Sequence, residues 1–269
     1  MIRGLVLLLA LAVTTHVEAQ RRGGGRFNQY LRKATPEDND GFFHFCRVEF
    51  RRGRGGFGGD WSVDYPRADL NLSIRLSELT KARVSFDAQK EPNHLVVRLT
   101  DDELFQCPFI MMTEVGSAFF TDEEAERLRE YLVKGGFLWA DDFWGSYAWQ
   151  VWENEIRKVL PAAQYPIVEL PLDHPIFREQ FVVHKVPQIP SIQYWMGSGG
   201  DTSEQGADSA TPTLRAIVDK HGRPMVVITH NTDLGDSFER EGDDPRYFYE
   251  FAVNGYALGI NILLYSMSH

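Results

Sequence analysis

Short apolar runs alternate along this chain with stretches whose hydrophobic residues recur at helical spacing, and the alternation predicts strands and helices in turn. Residues 42–50 have the β-branched and aromatic character of a first strand. In residues 68–79, Leu70, Ile74, Leu76 and Leu79 give a helical apolar stripe, with Pro66 suited to the start of that helix. Strand-like pieces around 83–86 and at 94–99 precede the strong run 109–113, which ends at Glu114. Thr121-Asp-Glu-Glu124 is a capping box, so a helix runs from about Asp122 to Lys134 and stops at Gly135-Gly136. The strand 137–140 then delivers Asp141 and Asp142 into a turn, and 147–160 is a further helix.

The second half is looser. Residues 168–170 and 181–186 read as strands, 213–219 and 225–229 as a hairpin across His221-Gly222, 197–210 as a polar Gly-rich loop, and 245–265 as a closing helix. Together these elements predict a three-layer α/β/α sandwich with a mostly parallel central sheet covered on both faces.

The amino terminus changes the picture of where this domain works. A charged start at Arg3, an apolar run over 4–13 and Val17-Glu-Ala19 read as a signal peptide cleaved before Gln20. The apolar run is too short to span a bilayer core of roughly 30 Å. The expected organisation is a signal peptide over 1–19, a flexible leader over 20–40 and a single domain over 41–269, exported to the periplasm or beyond, with no transmembrane segment after cleavage. The formal net charge of −10 makes the protein a poor general binder of nucleic acid or anionic lipid. Cys46 and Cys107 would meet an oxidising compartment, either paired or as buried thiols.

In a parallel sheet the carboxyl ends of the strands share one edge, and this places Asp64, Glu114, Asp141 and Asp142 on the same rim. Carboxylates that close repel unless a proton or cation intervenes. Asp141 and Asp142 are therefore the candidate metal ligands, with Mg²⁺ or Ca²⁺ the fitting ions, although no cofactor is required by any motif. The alternative is capping, with Asp142 serving the helix that follows Gly145. His174, between prolines in Leu170-Pro-Leu-Asp-His-Pro-Ile-Phe177, and His230, at the end of its strand, are the candidate bases or ligands, or else hold structural hydrogen bonds. Trp61, Phe143, Trp144 and Trp195 either line a cleft or pack in the core. Arg51-Arg-Gly-Arg-Gly-Gly-Phe-Gly-Gly59 reads as a surface loop, with an anion-binding backbone nest as the other reading.

Three motifs carry a resemblance: Trp61-Ser-Val-Asp-Tyr-Pro-Arg-Ala-Asp69, Gly135-Gly-Phe-Leu-Trp-Ala-Asp-Asp142 and Leu172-Asp-His-Pro-Ile-Phe177. Over about residues 42 to 267 the chain resembles the bacterial family called domain of unknown function 4159. The resemblance implies a fold similar to class I glutamine amidotransferases and no established activity. That wider group carries a Cys nucleophile at a tight elbow, and here Asp141 and Asp142 fill the position, which removes the nucleophile. The expected function is an exported, non-catalytic or accessory domain that binds a small polar ligand, glycan or partner protein through Asp64, Glu114, Asp141, Asp142, Trp144, His174 and His230. The alternative is a divalent-metal-dependent hydrolase using the carboxylates.

Overall fold

The computed structural model describes residues 31–269, so the expected signal peptide and residues 20–30 of the leader lie outside the described residues. Strand β1 (Phe45–Val48) leads through the short β2 (Arg51–Arg52) to helix α1 (Arg67–Leu79), then to β3 (His94–Val97), β4 (Phe109–Thr113) and β5 (Ala118–Phe119). Helix α2 (Asp122–Val133), β6 (Phe137–Asp141), α3 (Gly145–Val159) and β7 (Ile167–Glu169) follow. The last part holds α4 (Ile192–Ser198), β8 (Thr213–Val218), β9 (Pro224–His230), α5 (Leu234–Glu239), α6 (Pro245–Tyr247) and α7 (Val253–Ser268).

Seven of these strands form one sheet in the order β3-β1-β4-β6-β9-β8-β7, while β2 and β5 pair separately. The first five run parallel, β8 turns back on β9 as the expected hairpin, and β7 is antiparallel to β8. β4 and β6 are buried along their whole length, which is why they read as unbroken apolar runs rather than alternating ones. Their successive side chains divide between two cores. Phe109, Met111, Phe137 and Trp139 meet Leu72 and Leu76 of α1 and Leu258 and Ile262 of α7 on one face. Ile110, Met112, Leu138 and Ala140 meet Leu128 and Leu132 of α2 and Trp152 and Ile156 of α3 on the other. The three-layer α/β/α sandwich is thus the observed architecture.

Four local expectations differ. Residues 181–186 and 83–86 are not strands; the latter make only isolated bridges, Phe43 with Val84 and Phe86 with Pro92. Residues 32–34, assigned to the leader, run along β3, with Val96 N donating to Arg32 O and Ala34 N to Val96 O. The helix at the carboxyl end extends past 265, from Pro245 to Ser268, through a π-helical turn at Phe248–Ala252.

The fourth difference matters for the site. α1 buries Ala68, Asp69, Leu72, Ser73 and Leu76, whereas Leu79 of the expected stripe is exposed. The phase is set by a polar contact: Asp69 turns inward to receive both Arg47 Nε, at 3.3 Å, and the close Arg47 Nη2, and neither side chain has any solvent exposure. A helical stripe counted only over apolar residues misses a face that carries a buried ion pair.

Cys46 in β1 and Cys107 before β4 are joined as a disulfide across a sequence separation of 61. Loop closure of that length restricts the unfolded chain by about 4 kcal/mol. The double variant Cys46→Ala/Cys107→Ala is expected to lose roughly that much stability, read as a lower denaturant midpoint, while reduction of the wild type produces a loss of similar size.

Candidate functional site

The five parallel strands open their carboxyl ends on one edge, and the segments leaving them carry acids. Asp64 follows β1, Glu114 follows β4, Asp142 follows β6, and Asp233 and Asp236 follow β9. They line a cavity of about 540 Å³, together with Glu204, Glu239, Trp144 and Arg240. That is seven carboxyl groups against one guanidinium. The Arg-Gly loop after β1 forms one wall through Phe57 and Gly58. Gly58 has φ +101°, a backbone conformation that favours glycine, and a Cβ there would stand 2.0 Å from Glu114 Oε2. The loop thus packs on a carboxylate and borders an acidic cavity.

Three of these acids adopt left-handed backbone conformations: Asp64 at φ 64°, Glu114 at 53° and Asp142 at 55°. Asp tolerates this region better than most residues, which suits it to sharp exits from a strand. Asp142 receives Trp144 Nε1 on Oδ1 at 3.3 Å and Thr113 Oγ1 on Oδ2 at 3.5 Å. Asp233 caps α5, its Oδ1 accepting Asp236 N at 2.8 Å. Asp236 Oδ2 accepts Ile192 N at 2.7 Å, and its Oδ1 lies 3.6 Å from Arg240 Nε. Asp64 Oδ2 is buried without a hydrogen-bond partner.

Burial and mutual repulsion raise these carboxyls together. Desolvation first, then Asp236, lifts Asp64 well above the usual carboxylate range, against the pull of Arg47. Asp142 and Asp233 rise in the same way, by burial and then by repulsion from another acid, chiefly Glu114 for Asp142 and Asp142 for Asp233. Glu114 is pushed to about 7 by burial, opposed by the Gly59 amide, and Asp236 to about 6 by burial.

Of the residues singled out in the sequence, Asp64, Glu114, Asp142 and Trp144 meet at this cavity. Asp141 lies beneath it, fully buried, with Thr229 Oγ1 donating to Oδ1 at 2.5 Å and Gly235 N to Oδ2 at 3.1 Å. Burial pushes it to about 7 while those donors pull it down. It fixes β6 to β9 and α5, so of the two adjacent aspartates only Asp142 faces the cavity. Nor does Asp142 cap α3; Asn231 Oδ1 accepts Gly145 N and Asp208 Oδ2 accepts Ser146 N, both at 2.8 Å.

The two histidines are not brought to the cavity. His174 Nδ1 accepts Ile176 N at 3.3 Å, and its ring packs on Tyr265 of α7, which itself touches Phe137 at the opposite, amino end of β6. The flanking prolines do fix the loop, but at the far edge of the sheet. His230 is wedged against Phe143 and Trp149 with Nε2 at 3.0 Å from Gly145 O, and burial drives it down to about 4, so it is neutral at ordinary pH. Phe143 belongs to that packing, and Trp195 packs on Tyr247 and Phe251.

Sequence reasoning missed Asp233, Asp236, Glu239 and Glu204. The first two were legible in Asn231-Thr-Asp-Leu-Gly-Asp236, an acid-bearing N-cap directly after a parallel strand. Glu204 comes from an irregular loop and leaves no local signal.

An acid whose carboxyl is raised on folding stabilises the fold at low pH and loses that contribution as pH climbs toward its folded value. With Glu114 and Asp141 near 7 and Asp236 near 6, the loss falls between about pH 4 and pH 7. In chelator, the unfolding temperature is therefore expected to fall from pH 5 to pH 8. Asp142→Asn, which keeps the left-handed turn and deletes one charge, should raise it at pH 8 by about 3 °C and flatten the pH profile. A pH-independent melting curve for the wild type would contradict this.

No curated protein matches the chain. The model of the family described as Domain of unknown function (DUF4159) matches residues 44–267, a span that takes in the sheet, the layers on both of its faces and every acid of the cavity. The chain belongs to that family.

Proposed function

We propose that this is an exported accessory domain that binds a small, positively charged polar ligand in the carboxyl-edge cavity and does not perform amidotransferase chemistry. The observation that carries the reading is the excess of seven carboxyls over one guanidinium around a cavity of about 540 Å³. That volume lies in the range of small-molecule sites. Such a concentration of like charge is costly in the empty fold and is relieved by a cation. Trp144 adds an aromatic surface at the same wall.

Export is supported by the amino-terminal pattern and by the Cys46–Cys107 disulfide, which persists in oxidising compartments. The amidotransferase-like relationship is supported by the sharp exit from β6, where Asp142 adopts φ 55° at the position that such proteins give to a nucleophilic Cys. With a carboxyl instead of a thiol there, and with His174 and His230 both turned away, the cavity lacks the thiol–imidazole pair of amidotransferase chemistry. This favours binding over the hydrolase reading, whose proton-handling histidines are the ones engaged elsewhere.

Calorimetric titration with spermidine as a probe cation is expected to give saturable binding, weakened by salt. The double variant Glu114→Gln/Asp142→Asn should weaken it at least about tenfold, equivalent to roughly 1.4 kcal/mol. Binding of uncharged sugars with equal affinity, unaffected by that variant, would defeat the proposal.

A further inference from the structure

We infer that the inner end of the cavity is a divalent-cation site formed by Asp64, Asp233 and Asp236, a step that rests on the cation-binding reading above and narrows it. One carboxylate oxygen from each residue lies within 4.8 Å of the other two. Oxygens on one ion at a metal–oxygen distance of about 2.4 Å are separated by at most about twice that length, so the spacing of these three meets the condition for sharing a single hard ion.

A second observation points to the same place. Asp64 is only 7% exposed, yet its Oδ2 has no hydrogen-bond partner. A buried carboxylate oxygen without a donor is costly, and native folds rarely keep one without an occupant that satisfies it. The chain has made room for that oxygen: a Cβ on Gly235 would lie 2.3 Å from it. Asp233 and Asp236 are in turn held by backbone amides, those of Asp236 and Ile192, so these two carboxylates are fixed before any ion arrives. Arg47 attracts Asp64 but is paired with Asp69, and Arg240 Nε lies 3.6 Å from Asp236 while meeting Glu239 Oε2 at 2.6 Å. The donor set is all oxygen, with no thiolate and no imidazole, which selects Ca²⁺, Mg²⁺ or Mn²⁺ over zinc or copper.

The test is thermal unfolding of the chelator-treated protein with each of these three ions alone, for the wild type, Asp64→Asn, Asp233→Asn and, as an exposed acid outside the cavity, Asp102→Asn. At about a hundred times the dissociation constant, an ion should raise the unfolding temperature by about 5 °C in the wild type and Asp102→Asn. Asp64→Asn and Asp233→Asn should show no response. Asn accepts the left-handed backbone of Asp64, at φ 64°, and removes a repelling charge, so Asp64→Asn in chelator should melt no lower than the wild type. That result separates a lost ligand from a lost fold. A response that survives in Asp64→Asn, or the absence of any response in the wild type, overturns the metal site. If spermidine still stabilises the wild type when no metal does, the cavity reading stands and this inference alone falls; if neither does, both fall.

Discussion

One buried cation faces more buried carboxylates than it can neutralise. Arg47, in the middle of β1, has no solvent exposure and is, among the described residues, the one buried lysine or arginine. It pairs with Asp69 of α1, donates to Val63 O at 3.4 Å, and attracts Asp64 and Asp141 from below the cavity. This contact fixes the rotation of α1, holds the turn that presents Asp64, and sets the floor of the acidic edge. Removing one partner of such a pair leaves an uncompensated buried charge, a loss of about 3–5 kcal/mol. Everything above Arg47 is therefore arranged around a charge deficit that the protein does not correct with its own side chains.

The fold concentrates that deficit by geometry rather than by long-range order in the sequence. Parallel strands bring their exits to one edge, so acids at 64, 114, 142, 233 and 236 become neighbours although the chain separates them by up to 172 positions. Glycine opposite a carboxylate recurs along this edge, Gly58 against Glu114 and Gly235 against Asp64. Below the cavity a polar relay ties the sheet together, with Trp139 Nε1 donating to Thr229 Oγ1 at 2.8 Å and Thr229 to Asp141. Asp141 and Asp142 are adjacent in sequence and opposite in role because the strand ends between them.

The sequence made the layers legible because fully buried parallel strands and capped helices have strong local patterns; β4, β6 and the Thr121 capping box are examples. The rim was legible for the same reason, since strand exits can be counted. What stayed hidden depends on contacts between distant segments. The phase of α1 follows Asp69 meeting Arg47, and Phe181–Val186 has strand-like residues but no sheet neighbour to pair with. His174 looked poised because its loop is rigid, yet rigidity says nothing of which edge a loop serves; the chain returns to the amino end of the strands before it, beside Tyr265. Glu204 arrives from a loop whose path only tertiary structure determines.

A domain could remove its electrostatic burden by replacing one or two of these aspartates with asparagine, which fits the same turns and keeps the same approximate shape. That it retains carboxyls at 64, 142, 233 and 236, each raised by burial and by neighbouring acids, is a stability cost of the kind that accompanies a site shaped for a ligand. The uneven distribution of hydrogen bonds sharpens the point. Asp141 is satisfied by a hydroxyl and an amide and acts as structure, whereas Asp64, which lines the cavity, keeps a buried oxygen without a donor. Where neighbouring carboxylates in one fold divide into a satisfied set and an unsatisfied one, the unsatisfied oxygen marks the direction from which a positive charge is expected to come.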